Sequence, residues 1–308
     1  MFDVCLLGTG GMLPLPNRFL TSCLIRFGGH SILIDCGEGT QITMRRTGWS
    51  FKDIDYILFT HYHADHISGL PGLLLTIGNC ERTEPVTLIG PKGLRKVVEG
   101  LMIIAPGLPF EVRTMELTPE MIDEQTEMEL GGMVVKCCRA NHGVPCVSYS
   151  VEVRRRPRFD PVRAKEAGIP LEFWRVLQRG ENAVGADGTL YTPDMVLAEE
   201  RKGIKVTYAT DSRPTDSIVR LAEGSDLFIC EGMYGEPDKE MKAKEHKHMS
   251  YSEAALMAKK AGVQELWLTH FSPAMPNPGD YLETAAAVFE NTKVGKDRMI
   301  REFTYTDE

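Results

Sequence analysis

The run IDYILFTHYHADHISGLPGLL, from Ile54 to Leu74, sets an apolar, strand-like segment directly against three histidines and an aspartate within six residues. A segment such as IDYILF is buried as a strand, whereas His61, His63, Asp65 and His66 are ionisable and cannot follow it into an apolar layer unpaired. The cluster therefore belongs on the loop beyond the strand's carboxyl end. The same arrangement recurs elsewhere: His142 follows VVKCCRA, Asp211 ends IKVTYAT, and His270 ends ELWLT. Strands that each deliver such a side chain at the same end can gather them at one edge of a scaffold. Imidazole and carboxylate are the donors that a borderline divalent ion such as zinc prefers, about three or four to each ion.

Further short apolar runs, FDVCLLG, CLIRF, SILIDCG, VTLIG, CVSYSVEV and DLFICEG, alternate in part with helix-like stretches such as EGTQITMRR, PKGLRKVVEGL, SEAALMAKKAG and YLETAAAVFE. This pattern predicts an α/β chain of two packed sheets covered by helices. Between residues 154 and 202 it breaks into a mixture of Arg, Pro and Gly with two short helical stretches, which predicts an insertion with its own small fold. Arg154, Arg155, Arg156, Arg158 and Arg163 cluster there, followed by Lys165, Arg175 and Arg179. On a chain whose formal net charge is −8, five arginines in ten residues point to a local polyanion-binding patch on a surface that is otherwise unsuited to nucleic acid.

Eight cysteines without a CxxC pair suit buried, reduced thiols, and neither a secretory leader nor an apolar run of about 18 residues is evident. These features predict a soluble cytoplasmic protein with no membrane association. LLGTGG lacks a Walker lysine and the dinucleotide spacing, and is read as a tight turn that passes close to the histidine cluster. His30 and His246 are expected in solvent. Ser250 and Glu253 form a capping box that would place His248 at an ordered helix entry.

The order HxHxDH, then a distant His, a distant Asp and a final His, resembles the metallo-β-lactamase fold superfamily. From the GTGG loop to about His270 the chain resembles the ribonuclease Z family of tRNA 3′-processing endonucleases. The resemblance implies a four-layer αβ/βα sandwich over residues 1–308 with a protruding arm at 154–202, and two divalent ions, usually zinc, with manganese or iron as alternatives. One ion would be held by His61, His63 and His142, the other by Asp65, His66 and His270, with Asp211 bridging. It also implies that Asp35 braces the metal loop, that Asp65 both ligates and orients the attacking group, and that His248 is a general acid paired with Glu231. The substrate would be precursor tRNA, cut after the discriminator, and the enzyme a homodimer. Arg18, in the loop Pro14–Phe19, would meet a phosphate, while Arg154, Arg155, Arg156 and Arg158 on the arm would grip the tRNA.

The chain departs from the family pattern at GIPLEFW, where Phe173 and Trp174 replace a Gly-Pro-rich turn and are expected to pack the arm. Of a His-Glu-Ala-Thr motif only Glu231 is present, and the lysine and asparagine of the amino-terminal loop are absent. Metal ligands alone establish hydrolysis. A small or cyclic phosphodiester is the competing substrate, and a non-catalytic RNA- or protein-binding module is the competing class.

Overall fold

The computed structural model describes residues 1–199 and 201–305. Its strands are β1 (Phe2–Gly8), β2 (Ser22–Phe27), β3 (His30–Ile34), β4 (Ile54–Leu58), β5 (Val86–Gly90), β6 (Val112–Glu116), β7 (Met128–Leu130), β8 (Met133–Arg139), β9 (Val147–Arg155), β10 (Ala183–Val184), β11 (Leu190–Tyr191), β12 (Arg201–Ala209), β13 (Leu227–Glu231), β14 (Leu266–Thr269), β15 (Thr292–Val294) and β16 (Met299–Phe303). Two sheets of seven strands result, ordered β16-β1-β2-β3-β4-β5-β6 and β15-β14-β13-β12-β9-β8-β7. The run β3 to β6 is parallel, as is β12 to β15, whereas β16, β1, β2 and β3 pair antiparallel, as do β7, β8 and β9.

The near-continuous apolar runs follow from burial on both faces of each strand. On one face of the first sheet, Cys5, Leu7, Leu24, Leu33 and Ile57 pack with Met44, Leu73, Leu74, Ile77, Leu94 and Val98 from the helices Thr40–Thr47, Leu70–Gly78 and Leu94–Met102. The second sheet likewise packs Cys138, Ala209, Phe228, Cys230, Leu266 and Leu268 against the helices Asp216–Ala222 and Tyr251–Ala261. The alternate residues Val4, Leu6, Ile25, Ile32 and Ile34 of the first sheet and Val135, Tyr149, Val206, Ile229 and Trp267 of the second are also buried. Hydrogen bonds join the two sheets on that side: Tyr149 Oη donates to the Phe59 carbonyl at 2.8 Å, and the Val147 amide donates to Thr60 at 3.0 Å. Seven of the eight cysteines are buried and Cys80 is exposed.

The chain divides into two compact units, residues 1–152 with 204–308, and residues 153–203. The second has its own small core of Ala164, Ile169, Leu177, Ala183 and Val196, surrounded by Phe159, Phe173, Trp174 and Tyr191. Phe173 stacks on Tyr191 and Trp174 packs on Phe159, while the indole Nε1 donates to the Ile169 carbonyl at 2.9 Å. These aromatic rings hold the arm together. Arg154, Arg156, Arg158, Arg163, Arg175 and Arg179 are exposed and Arg155 is half-buried.

The ten apolar runs are all strands. Six strands lack so clear a signal: β10 and β11, which pair with each other in a two-stranded sheet, and β6, β7, β15 and β16, which are the edges of the two seven-stranded sheets; with one face or one side open, the alternation of these four is short and mixed with charge. Among the described residues no helix is long and apolar enough to cross a membrane.

Tyr149→Phe would strand the buried Phe59 carbonyl just ahead of the histidine loop. It should lower unfolding stability by about 1–3 kcal/mol, read as a reduced urea midpoint at unchanged m-value.

Candidate metal centre

The carboxyl ends of β3, β4, β8, β12, β13 and β14 deliver Asp35, His61, His142, Asp211, Glu231 and His270. Three of these residues adopt left-handed backbone: Asp35 (φ 58°), Asp211 (φ 54°) and His270 (φ 56°). Non-glycine residues rarely do so, at a cost of about 1–3 kcal/mol each. Each strand thus turns within one residue, and its side chain stays at the sheet edge. The loop after β4 is partly helical: Asp65 and His66 lie in the turn Ala64–Ile67, which the sequence had placed in a loop.

His61, His63, His142 and Asp211 present ligand atoms within 4.8 Å of one another, and so do Asp65, His66 and His270. His63 Nδ1 stands 2.9 Å from His61 Nε2 and 3.3 Å from His142 Nε2. Asp211 faces both groups. Its Oδ1 is 3.9 Å from His61 Nε2 and 3.8 Å from His142 Nε2, and its Oδ2 is 3.1 Å from His66 Nε2 and 3.3 Å from His270 Nε2. Asp65 Oδ2 lies 3.4 Å from His270 Nε2.

This donor set fits divalent metal. Asp211 Oδ2 is buried yet meets no donor in hydrogen-bond geometry, as expected of an atom that turns its lone pair toward a cation. Burial opposes charge on His66, but Asp211 and Asp35 override it and hold the imidazole well above its usual range. Burial likewise opposes the charge on Asp65, and His270 and His66 hold its carboxyl well below the usual range. The carboxylates here thus draw positive charge toward themselves. At His61 burial dominates and keeps the ring neutral, the form in which imidazole ligates.

Outer contacts orient these groups. Asp35, fully buried, accepts from Thr60 N (2.8 Å), Thr60 Oγ1 (2.9 Å) and His66 Nδ1 (2.8 Å), which leaves His66 Nε2 to face the cluster. The amide of Met12 donates to Asp65 Oδ2 at 2.7 Å. The GTGG loop therefore does reach the site, and a Cβ on Gly11 would stand 2.8 Å from His270 Cε1 and Nε2. Lys247 Nζ donates to the His142 carbonyl at 3.1 Å.

His248 Nδ1 lies 2.9 Å from Glu231 Oε2, and Glu231 Oε1 accepts from the Ser212 amide at 2.6 Å. Burial works against a charge on His248, but Glu231 reverses the balance and pushes the imidazole up to about 9. His30 and His246 lie at the surface, His30 bonded to Asp55.

Arg18 is a correction to the expected phosphate contact. It is buried, and its guanidinium donates to the carbonyls of Ser272 (3.3 Å) and Met275 (2.7 Å), because the turn Leu15–Arg18 folds it inward against the loop after His270. Sequence reasoning also missed Thr60, Asn141, Ser212 and Arg213; the polar run DSR after β12 was the available signal for the last two.

Residues 2–159 match the family profile described as Anti-Pycsar protein Apyc1, and residues 192–271 match the beta-lactamase superfamily domain. Among curated proteins, one named ribonuclease Z from Agathobacter rectalis is 56% identical over 309 residues and covers both chains in full. The chain belongs to the ribonuclease Z family. A ribonuclease Z from Clostridium acetobutylicum is 53% identical over 98% of each chain. The solved structure of human tRNase Z, short form, superposes with a TM-score of 0.69 at 25% identity, covering 98% of this chain and 100% of that one. A metallo-beta-lactamase fold protein, YhfI from Bacillus subtilis, shares the fold at a TM-score of 0.68 and 20% identity, over 97% of this chain and 98% of that one. The two sheets and their covering helices are therefore the αβ/βα sandwich of the metallo-β-lactamase fold, and the His/Asp cluster is the divalent-metal centre of a hydrolase in this family.

Asp35→Asn removes the charge that fixes the His66 ring. Metal affinity should fall by about 10- to 100-fold, measured as metal retained against a graded chelator, with the fold intact by circular dichroism.

Proposed function

We propose that this chain is a zinc-dependent endoribonuclease that hydrolyses precursor tRNA on the 3′ side of the discriminator and leaves a 3′-hydroxyl on the tRNA. The observation that carries the reading is the 56% identity to a ribonuclease Z over the full length of both chains, arm region included. His61, His63 and His142 would hold one zinc ion and Asp65, His66 and His270 a second, with Asp211 shared, in keeping with the two groups of ligand atoms. When bound, such a pair supplies an activated water and positive charge beside the phosphoryl oxygens.

The remaining steps fall to the chain's own groups. Asp65, ionised and oriented by the Met12 amide, is placed to align the attacking water. His248, protonated through its bond to Glu231, supplies the proton that the departing ribose 3′-oxygen needs. On the arm, Arg154, Arg155, Arg156 and Arg158 are assigned to tRNA phosphates. We assign the enzyme to the cytoplasm as a homodimer, as the family resemblance implies.

The zinc-loaded protein should cut a 3′-extended precursor tRNA once, at the discriminator, and His63→Ala should abolish the cut. A small phosphodiester as the true substrate would leave the tRNA intact while a chromogenic diester turned over. Removal of residues 154–202 separates the same readings: tRNA cleavage should collapse and chromogenic turnover persist, whereas tRNA cleavage that survived would remove the arm from substrate binding.

Because Glu231 raises the His248 pKa, the acid form is present at neutral pH and is lost as pH rises through that value. Glu231→Gln should therefore move the alkaline limb of the kcat profile to lower pH. An unmoved limb would dissociate the pair from proton transfer.

A further inference from the structure

Two residues beyond Asp211 lies Arg213, a cation that takes no part in the ligand cluster. Its side chain is 16% exposed and forks onto Glu253, itself 18% exposed. Nη1 donates to Glu253 Oε2 at 2.9 Å and also to the main-chain carbonyl of His248 at 2.5 Å, while Nη2 donates to Glu253 Oε1. Glu253 Oε2 simultaneously accepts from the Ser250 amide at 3.0 Å, which closes the capping box of the helix Tyr251–Ala261. The strap His248–Met249–Ser250 is thus held at its first residue by Arg213 and at its last by the carboxylate that Arg213 grips.

The backbone on the other side is equally constrained. The Arg213 amide donates to the Asn141 carbonyl at 3.0 Å, and the Asn141 amide donates to Ser212 Oγ at 2.9 Å, one residue before His142. The Ser212 amide holds Glu231. Asp211, Ser212 and Arg213 therefore touch, in succession, the ligand cluster, the partner of His248, and the strap that carries His248.

A proton donor works only within about 2.6–3.2 Å of the atom it protonates, and an error near 1 Å can cost about 100-fold in rate. An exposed ion pair would do little to fix such a distance, but an enclosed bidentate fork sets orientation as well as attraction.

We propose that Arg213 is the positioning residue for His248. It indexes the proton donor to the same three-residue segment that carries the shared ligand Asp211, so the spacing of donor and cluster is set by one piece of backbone. The inference rests on the reading of His248 as the general acid.

The test compares kcat for precursor tRNA with kcat for bis(p-nitrophenyl) phosphate in the metal-loaded full-length protein, its His248→Ala, Arg213→Met and Arg213→Lys variants, and the His248→Ala/Arg213→Met double variant. A ribose 3′-oxygen must be protonated as it leaves, whereas p-nitrophenolate leaves as the anion. Arg213→Met should lower kcat for tRNA by about ten- to a hundredfold more than kcat for the chromogenic diester, with KM for tRNA and metal content unmoved. Arg213→Lys, which keeps the charge but not the fork, should fold normally and show the same selectivity at smaller size. The double variant should be no more selective than His248→Ala alone. Equal losses on both substrates, or loss of metal, in the Arg213 variants would overturn the proposal and make Arg213 a support of the fold. If His248→Ala is selective and the Arg213 variants are not, the positioning role alone fails. If His248→Ala itself shows no selectivity, the general-acid reading fails and takes the inference with it.

Discussion

The carboxylate of Asp35 carries more of this structure than its place outside the ligand cluster suggests. It is fully buried and accepts three hydrogen bonds, two from Thr60 and one from His66. A buried carboxylate is tolerable only when its lone pairs are met, so the ends of β3 and β4 are held in a fixed relation. That relation aims the HxHxDH segment. Removal of the carboxylate would free an amide, a hydroxyl and an imidazole together, all of them buried.

The second constraint is one of charge. Asp35, Asp65, Asp211 and Glu231 are all buried within one edge of the sandwich. Burial opposes ionisation of the three aspartates, and the neighbouring imidazoles offset this only by becoming cations themselves. His61 cannot, because its own burial keeps it neutral. Divalent ions would resolve the conflict for Asp65 and Asp211, whereas Glu231 meets the His248 imidazole at 2.9 Å. On the proposed reading the two kinds of positive charge are sorted between adjacent groups, metal at Asp65 and Asp211 and a proton at His248, as phosphodiester hydrolysis with a poor leaving group requires.

Much of this was legible in the chain. Apolar runs that end in His or Asp identify strands and the edge to which they deliver, because burial on both faces leaves no alternative for such residues. Asp35 was legible as a brace only through the family resemblance of ILIDCGEG; by its position alone it reads equally as an ordinary turn aspartate. The edge strands were not, since a segment like VRTME is half exposed and carries little periodicity. Arg18 misled because a basic residue in a loop reads as solvent-facing, while the carbonyls of Ser272 and Met275 that enclose it lie some 250 residues away in the sequence. The contacts of Ser212 and Arg213 depend on three segments meeting, which local pattern does not encode.

The left-handed backbone at Asp35, Asp211 and His270 joins these observations. Glycine would adopt that conformation at less cost, yet each position carries a side chain that the site uses. A strand that continued straight would carry its terminal side chain away from the sheet edge, and a longer loop would let it wander. A one-residue reversal does neither, because the side chain stays against the last hydrogen-bonded rung of the sheet. The strain at three such positions is offset by the two sheets whose packing holds them, so the rigidity of the sandwich is transmitted directly to the ligand atoms.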